Sequence, residues 1–187
     1  MTKYILHGGA WQKTAKYQDY FSEMTKGLID PVNILCVYFA RDNKEWEQCF
    51  LEDRQKFIAT SAQKDLRFDM ASNRKAKFIE QIKNANVIYL RGGKTAKLQK
   101  QLEIIPNIDE LWQGKVISGS SAGALVLSRY YYENDDNVFT MGLGILPIKV
   151  YCHYTDSGKD NLNNLKKYGE DLKVYSIAEE EYIVIKQ

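Results

Sequence analysis

A chain of 187 residues, 44% hydrophobic and 27% charged, has the length and composition of one soluble domain with a sizeable core. Its 26 basic and 24 acidic residues balance to +2, which leaves neither the basic footprint of a nucleic-acid binder nor a run of like charge for a membrane surface. No window approaches the ~20 apolar residues of a membrane span, the apolar stretch in MTKYILHGGAW is too short for a signal peptide, and Cys36, Cys49 and Cys152 are too few and too unpatterned for a disulfide framework or a zinc site, so a cytoplasmic protein is expected.

Taken in chain order, KYILHG reads as a first strand ending in Gly8-Gly9. YQDYFSEMTKGL places Tyr17, Tyr20, Phe21 and Met24 at helical spacing, with Gly27 at a plausible stop. VNILCVYFA is nearly all apolar, as a strand buried on both faces should be. KEWEQCFLEDRQKFIATSA is a long amphipathic helix and LRFDM a candidate strand. Ser72 is placed to cap the helix NRKAKFIEQIKNA. NVIYLRGG is a strand running into Gly92-Gly93, TAKLQKQLEII a helix stopped by Pro106, KVISG a short strand, and SAGALVLSRY the start of a helix. Beyond Arg129 the pattern weakens: YYYENDDN reads as polar, VFTMGLGILPIKV as strand and loop, DNLNNLKKYG as a short helix, and KVYSIAEEEYIVIKQ as two strands around an acidic corner.

This strand–helix alternation predicts an α/β fold, a mainly parallel sheet with helices on both faces in a three-layer sandwich spanning residues 1–187. In such sheets the chemistry collects at the C-terminal strand ends. Both glycine pairs lie at such ends, and so does the one G-x-S-x-G stretch, Gly119-Ser120-Ser121-Ala122-Gly123. Small residues flank a nucleophile where a strand turns sharply into a helix. In that frame Ser121 is the nucleophile and the Ala122 amide an oxyanion donor. The chain has two histidines, His7 and His153; His153 follows a predicted strand and opens a loop, which makes it the candidate base. HGGAW also looks like the oxyanion loop of alpha/beta-hydrolase lipases and esterases. However, too little chain follows Ser121 for that fold, and Gly92-Gly93, one βα unit before the serine, is better placed to line an oxyanion hole.

YLRGGKTAKL followed by VISGSSAGALVLS resembles peptidase family S51, the dipeptidase E and cyanophycinase group. The matching positions are Gly92-Gly93-Lys94-Thr95, then Gly119 to Ala124, then His153-Tyr154, with LHGGAW suiting the family's first strand. The resemblance covers nearly the whole chain. It implies a class I glutamine-amidotransferase-like (flavodoxin-like) fold, with serine in place of the amidotransferase cysteine, and hydrolysis of small peptides, often beside an aspartyl residue, without metal or cofactor. Ser121 would attack, His153 would take the proton, and the amides of Gly93 and Ala122 would hold the oxyanion. Gly92, Lys94 and Thr95 would contact substrate, and Lys159, the only cation after His153 before Lys166, would stand in for the family's arginines.

The family's acidic corner maps onto IAEEEYIVI and puts Glu179 third in the triad, with Asp135 and Asp136 as alternatives. The chain departs from the family in having Lys94 for Asn, Ala178 and Glu180 beside the glutamate, no arginine in YTDSGKDNLNNLKK after His153, and its end at Gln187. An esterase and a catalytically silent amidotransferase-like binding protein are the competing readings. The expected partners are a small peptide substrate and at most a second copy of the chain in a homodimer, with no nucleic acid and no membrane.

Overall fold

The computed structural model describes residues 1–11 and 16–187. Ten strands and seven α-helices are described: β1 (Lys3–His7), α1 (Tyr17–Thr25), β2 (Val32–Val37), α2 (Trp46–Thr60), β3 (Leu66–Met70), α3 (Lys75–Asn84), β4 (Val87–Leu90), α4 (Thr95–Glu103), α5 (Ile108–Leu111), β5 (Val116–Ser120), α6 (Ala122–Leu127), β6 (Ser128–Glu133), β7 (Val138–Met141), β8 (Leu146–Cys152), α7 (Lys159–Lys167), β9 (Lys173–Ile177) and β10 (Tyr182–Lys186). A six-stranded sheet has the order β10-β1-β5-β4-β2-β3, parallel throughout except for β10 at its edge. A second sheet of four strands has the order β7-β6-β8-β9.

The apolar runs build the first sheet because both of its faces are covered. Ile5, Ile34, Cys36, Val87 and Tyr89 point to one face, where Tyr20, Phe21 and Met24 of α1 and Phe57 of α2 pack. Their neighbours in the chain, Leu6, Leu35, Val37, Ile88 and Leu90, point to the other and meet α3, α4, α5 and α6. This is the period-2 alternation of a pleated strand, and each such side chain contributes roughly 1.5–3 kcal/mol on burial. The result is the three-layer α/β sandwich of the flavodoxin-like class.

The second sheet differs from the sequence reading. SRYYYE, expected as the continuation of a helix and a polar stretch, is strand β6: its tyrosines alternate, Tyr131 facing the main core and Tyr130 and Tyr132 facing a smaller cluster with Tyr151 and Leu165 of α7. Tyrosine pairs a large apolar ring with a polar tip, so the run reads as polar in a composition count while burying like an aromatic strand. Helix α6 is correspondingly shorter than SAGALVLSRY and ends at Leu127. The two C-terminal strands form as expected, but β9 joins the second sheet and β10 the first. Ser72 is not an N-cap: Arg74 holds that position, and Ser72 Oγ accepts from the Arg74 amide at 3.2 Å. The short helix α5 carries no sequence signal that the pattern reading used.

Candidate active site

The turn between β5 and α6 puts Ser121 at φ 51°, ψ −112°, a backbone conformation that L-residues avoid. Its amide donates to His7 O at 2.9 Å, and its carbonyl accepts from Ala124 and Leu125 at 2.8 and 2.9 Å, so the turn is held from both sides. Packing demands the glycines around it. A Cβ on Gly119 would overlap the Gly123 backbone, and one on Gly123 would overlap the Leu90 carbonyl. Ser120 is the last residue of β5 and only 3% exposed; both serines line the cavity, and Ser121 is the one whose hydroxyl meets His153.

Ser121 Oγ lies 2.9 Å from His153 Nε2, and His153 Nδ1 lies 3.0 Å from Glu179 Oε1. His153 stands just past β8 and Glu179 just past β9, so two adjacent parallel strands of the second sheet deliver the imidazole and the carboxylate. Asp135 and Asp136, the alternative carboxylates, lie at the β6–β7 turn; neither is the His153 partner, and Asp135 lines the cavity wall.

The turn after β1 joins the two sheets at this point. Gly8 O accepts from the His153 amide at 3.0 Å, Gly8 N donates to Glu181 O at 2.9 Å, and Gly9 O accepts from the Glu180 amide at 2.9 Å. A Cβ on Gly9, at φ 109°, would overlap the His153 ring, and one on Gly8 would overlap the Ala178 carbonyl. HGGAW therefore cradles the imidazole and the acidic corner, in contrast to the oxyanion loop of the hydrolase comparison. His7 supports the turn from beneath: its Nδ1 accepts from the Gly9 amide at 3.0 Å, and its ring stacks on Tyr20 with centroids 4.2 Å apart. Burial, helped by the nearby His153, pushes the His7 pKa down to about 4, so the ring is neutral at physiological pH with Nδ1 as acceptor.

Among the described residues, six non-glycine residues have positive φ. Two are asparagines, Asn107 and Asn137, which tolerate it; the other four are Ala10, Ser121, His153 and Glu180, all at this site. Strain concentrated in this way marks functional backbone.

Gly92 and Gly93 form the opposite wall. A Cβ on Gly92 would stand 2.8 Å from Ser120 O and 3.1 Å from Ser121 Cβ, and Gly93, at φ 155°, abuts the Ala40 carbonyl. The Ala122 amide is the first of α6 and has no partner within the helix. Lys94 and Thr95 do not line the cavity at Ser121. They line an adjoining groove, where Thr95 Oγ1 donates to Glu133 Oε2 at 2.6 Å. Lys159, exposed at the start of α7, lines neither.

The cavity's arginines come from elsewhere. Arg41, just beyond β2, donates from Nε to Gly92 O at 2.6 Å. Arg91 is 6% exposed and committed beneath the site to Cys49 O, Glu52 and Asp53. Arg41 and Glu133 were missed by motif reading; the available signal was their position at strand ends on the ligand side of the sheets. Cys152 Sγ lies 3.8 Å from both His7 O and Ser121 O, and burial pushes its pKa far up, so it stays a thiol. Among the described residues no helix is long and apolar enough to cross a membrane.

A model of peptidase family S51 matches residues 5–187. The chain belongs to that family of serine peptidases. Two solved structures share the fold. One, described as a peptidase from an acI-B1 Actinobacterium, is 21% identical, with a TM-score of 0.66, over 100% of this chain and 84% of that one. The other, described as a peptidase E protein from Listeria monocytogenes EGD-e, is 18% identical, with a TM-score of 0.69, over 99% and 94%. A search of curated proteins gave no match.

Proposed function

We propose that the protein hydrolyses peptide bonds in short peptides through Ser121, His153 and Glu179, aspartyl dipeptides being the first substrates to test. The observation that carries this reading is the unbroken chain of contacts, Ser121 Oγ to His153 Nε2 at 2.9 Å and His153 Nδ1 to Glu179 Oε1 at 3.0 Å, ending on a strained serine. Glu179 fixes the tautomer with hydrogen on Nδ1, leaving Nε2 to accept the serine proton. Ser121 Oγ then adds to the substrate carbonyl, and the Gly93 and Ala122 amides receive the oxyanion. The protonated His153 gives its proton to the leaving amine. Water, deprotonated by the same imidazole, releases the acyl group from Ser121.

Arg41 supplies the cavity with a cation from the end of β2, where a substrate carboxylate would meet it. That answers the absence of arginine after His153, and Lys159 drops out as the expected cation.

A fluorophosphonate probe tests the assignment. Labelling lost in Ser121→Ala and kept in Ser120→Ala is the expected result. Absence of labelling in the native protein overturns it in favour of a binding protein, and hydrolysis of p-nitrophenyl esters without cleavage of any peptide favours an esterase.

A further inference from the structure

The cavity at Ser121 is small, about 200 Å³, below the roughly 300–1,000 Å³ of pockets that enclose a whole ligand. It adjoins a second cavity of about 530 Å³, and Gly93, Glu133 and Asp135 line both. The floor of this groove is one face of the β6–β7 ribbon: Tyr131 pairs with Thr140 and Glu133 with Val138, so all four side chains point the same way. Its wall is a single stripe of α4, Ala96, Gln99, Lys100 and Glu103 at spacings of three, four and seven residues. Leu98 and Leu102 bury the opposite side of that helix.

The lining suits a peptide chain. Val138 and Met141 leave apolar surface uncovered at 45% and 46% exposure, and around them stand both signs of charge and side-chain amide. Lys94 and Lys100 lie toward α4, with Glu133, Asp135 and Asp136 toward the ribbon. Burial, with Asp135 and Asp136 nearby, raises the Glu133 carboxyl against the hydrogen bond from Thr95. No single-sign field is present, as a nucleotide or a polyanion would require.

We propose that the groove between α4 and the β6–β7 ribbon is an extended substrate subsite that takes the peptide residues beyond the two flanking the cut bond, so that oligopeptides are better substrates than dipeptides. This rests on the peptidase reading of Ser121.

The test is kcat/KM for a cleaved dipeptide unit and for the same unit lengthened by two residues on the amino side or on the carboxyl side. One lengthened series exceeds the dipeptide by roughly tenfold or more, the gain expected from remote contacts realised in the transition state. Gln99→Trp and Thr140→Trp, which fill the groove from wall and floor, bring that ratio close to one while Ser121 still labels with fluorophosphonate. Dipeptide cleavage with no gain from length on either side, or a gain that survives both substitutions, overturns the subsite and leaves the peptidase reading standing. Failure to cleave any peptide overturns both.

Discussion

The two sheets divide the candidate chemistry between them. The six-stranded sheet carries the nucleophile turn after β5 and the Gly92-Gly93 wall after β4, both packed backbone against backbone and closed to any side chain larger than hydrogen at their glycines. The four-stranded sheet carries the base after β8 and its carboxylate after β9, on residues that are one third exposed, His153 at 34% and Glu179 at 38%. In the proposed mechanism the closed half fixes where bonds change, and the more open half delivers the group that moves protons. The Gly8-Gly9 turn is their common seam. This arrangement makes the two halves separable by mutation.

The largest effect comes from removing either half's reacting group. Ser121→Ala and His153→Ala should each lower kcat by several orders of magnitude, about 10⁴-fold or more, and the double variant should be no worse than the poorer single one, because the groups act as a unit. Steady-state kinetics on one cleaved peptide checks this; additive losses would show that the halves do not cooperate. Glu179→Gln keeps the geometry and loses the charge, so a drop on the order of 10³–10⁴-fold is expected from a wrongly set tautomer. Asp135→Asn and Asp136→Asn should not approach that loss. If one of them does and Glu179→Gln does not, the third role belongs to the β6–β7 turn.

The seam itself is tested by Gly9→Ala. The added methyl overlaps the His153 ring, so the imidazole must shift, and a misplacement of about 1 Å costs on the order of 10²-fold in rate. Thermal unfolding together with kcat separates the outcomes. Because Gly9 sits at φ 109°, the alanine also strains the backbone, so a folded enzyme that is slower and melts somewhat earlier is expected. Full activity would mean that the base half tolerates movement against the nucleophile half.

How much of this was legible in the sequence follows the same division. The first sheet's strands are unbroken apolar runs ending in glycines, and the serine turn has a pattern whose spacing is dictated by close backbone contacts, so both could be read directly. His153 was legible because the chain offers only two histidines. The second sheet was not, because its β6 strand is written in tyrosine and its partners β8 and β9 are separated by α7. Glu179 could be placed only through the family resemblance, since three glutamates in a row give no local reason to prefer one, and Lys159 is the first cation after His153 in the chain, whereas the cavity draws Arg41 from beyond β2, more than a hundred residues earlier. Arg41 and Glu133 are brought to Ser121 by strand order, which is a property of the sheet and not of any local window.

The smallest effect expected concerns His7, the buried support of the seam. Its folded pKa of about 4 lies below the ordinary 6.5, with burial the main cause and His153 the second. A depressed histidine pKa means that the unfolded chain binds the proton first. Between pH 6.5 and 4 the unfolded state therefore holds more protons than the folded one, and stability falls as pH falls through that window. A displacement of this size corresponds to roughly 3 kcal/mol at its full extent. His7→Asn keeps an acceptor near the Nδ1 position for the Gly9 amide and removes the titration, so its unfolding free energy should decline less between pH 6.5 and 4 than that of the native protein, with kcat at neutral pH reduced only a few-fold. His7→Leu removes both the titration and the acceptor. It should share the flatter acid limb yet lose more rate than the asparagine variant, because the Gly9 amide is then left unsatisfied against the base. Equal rates in the two variants would show that the His7 hydrogen bond has no part in placing His153 and that the backbone bonds from Gly8 and Gly9 suffice.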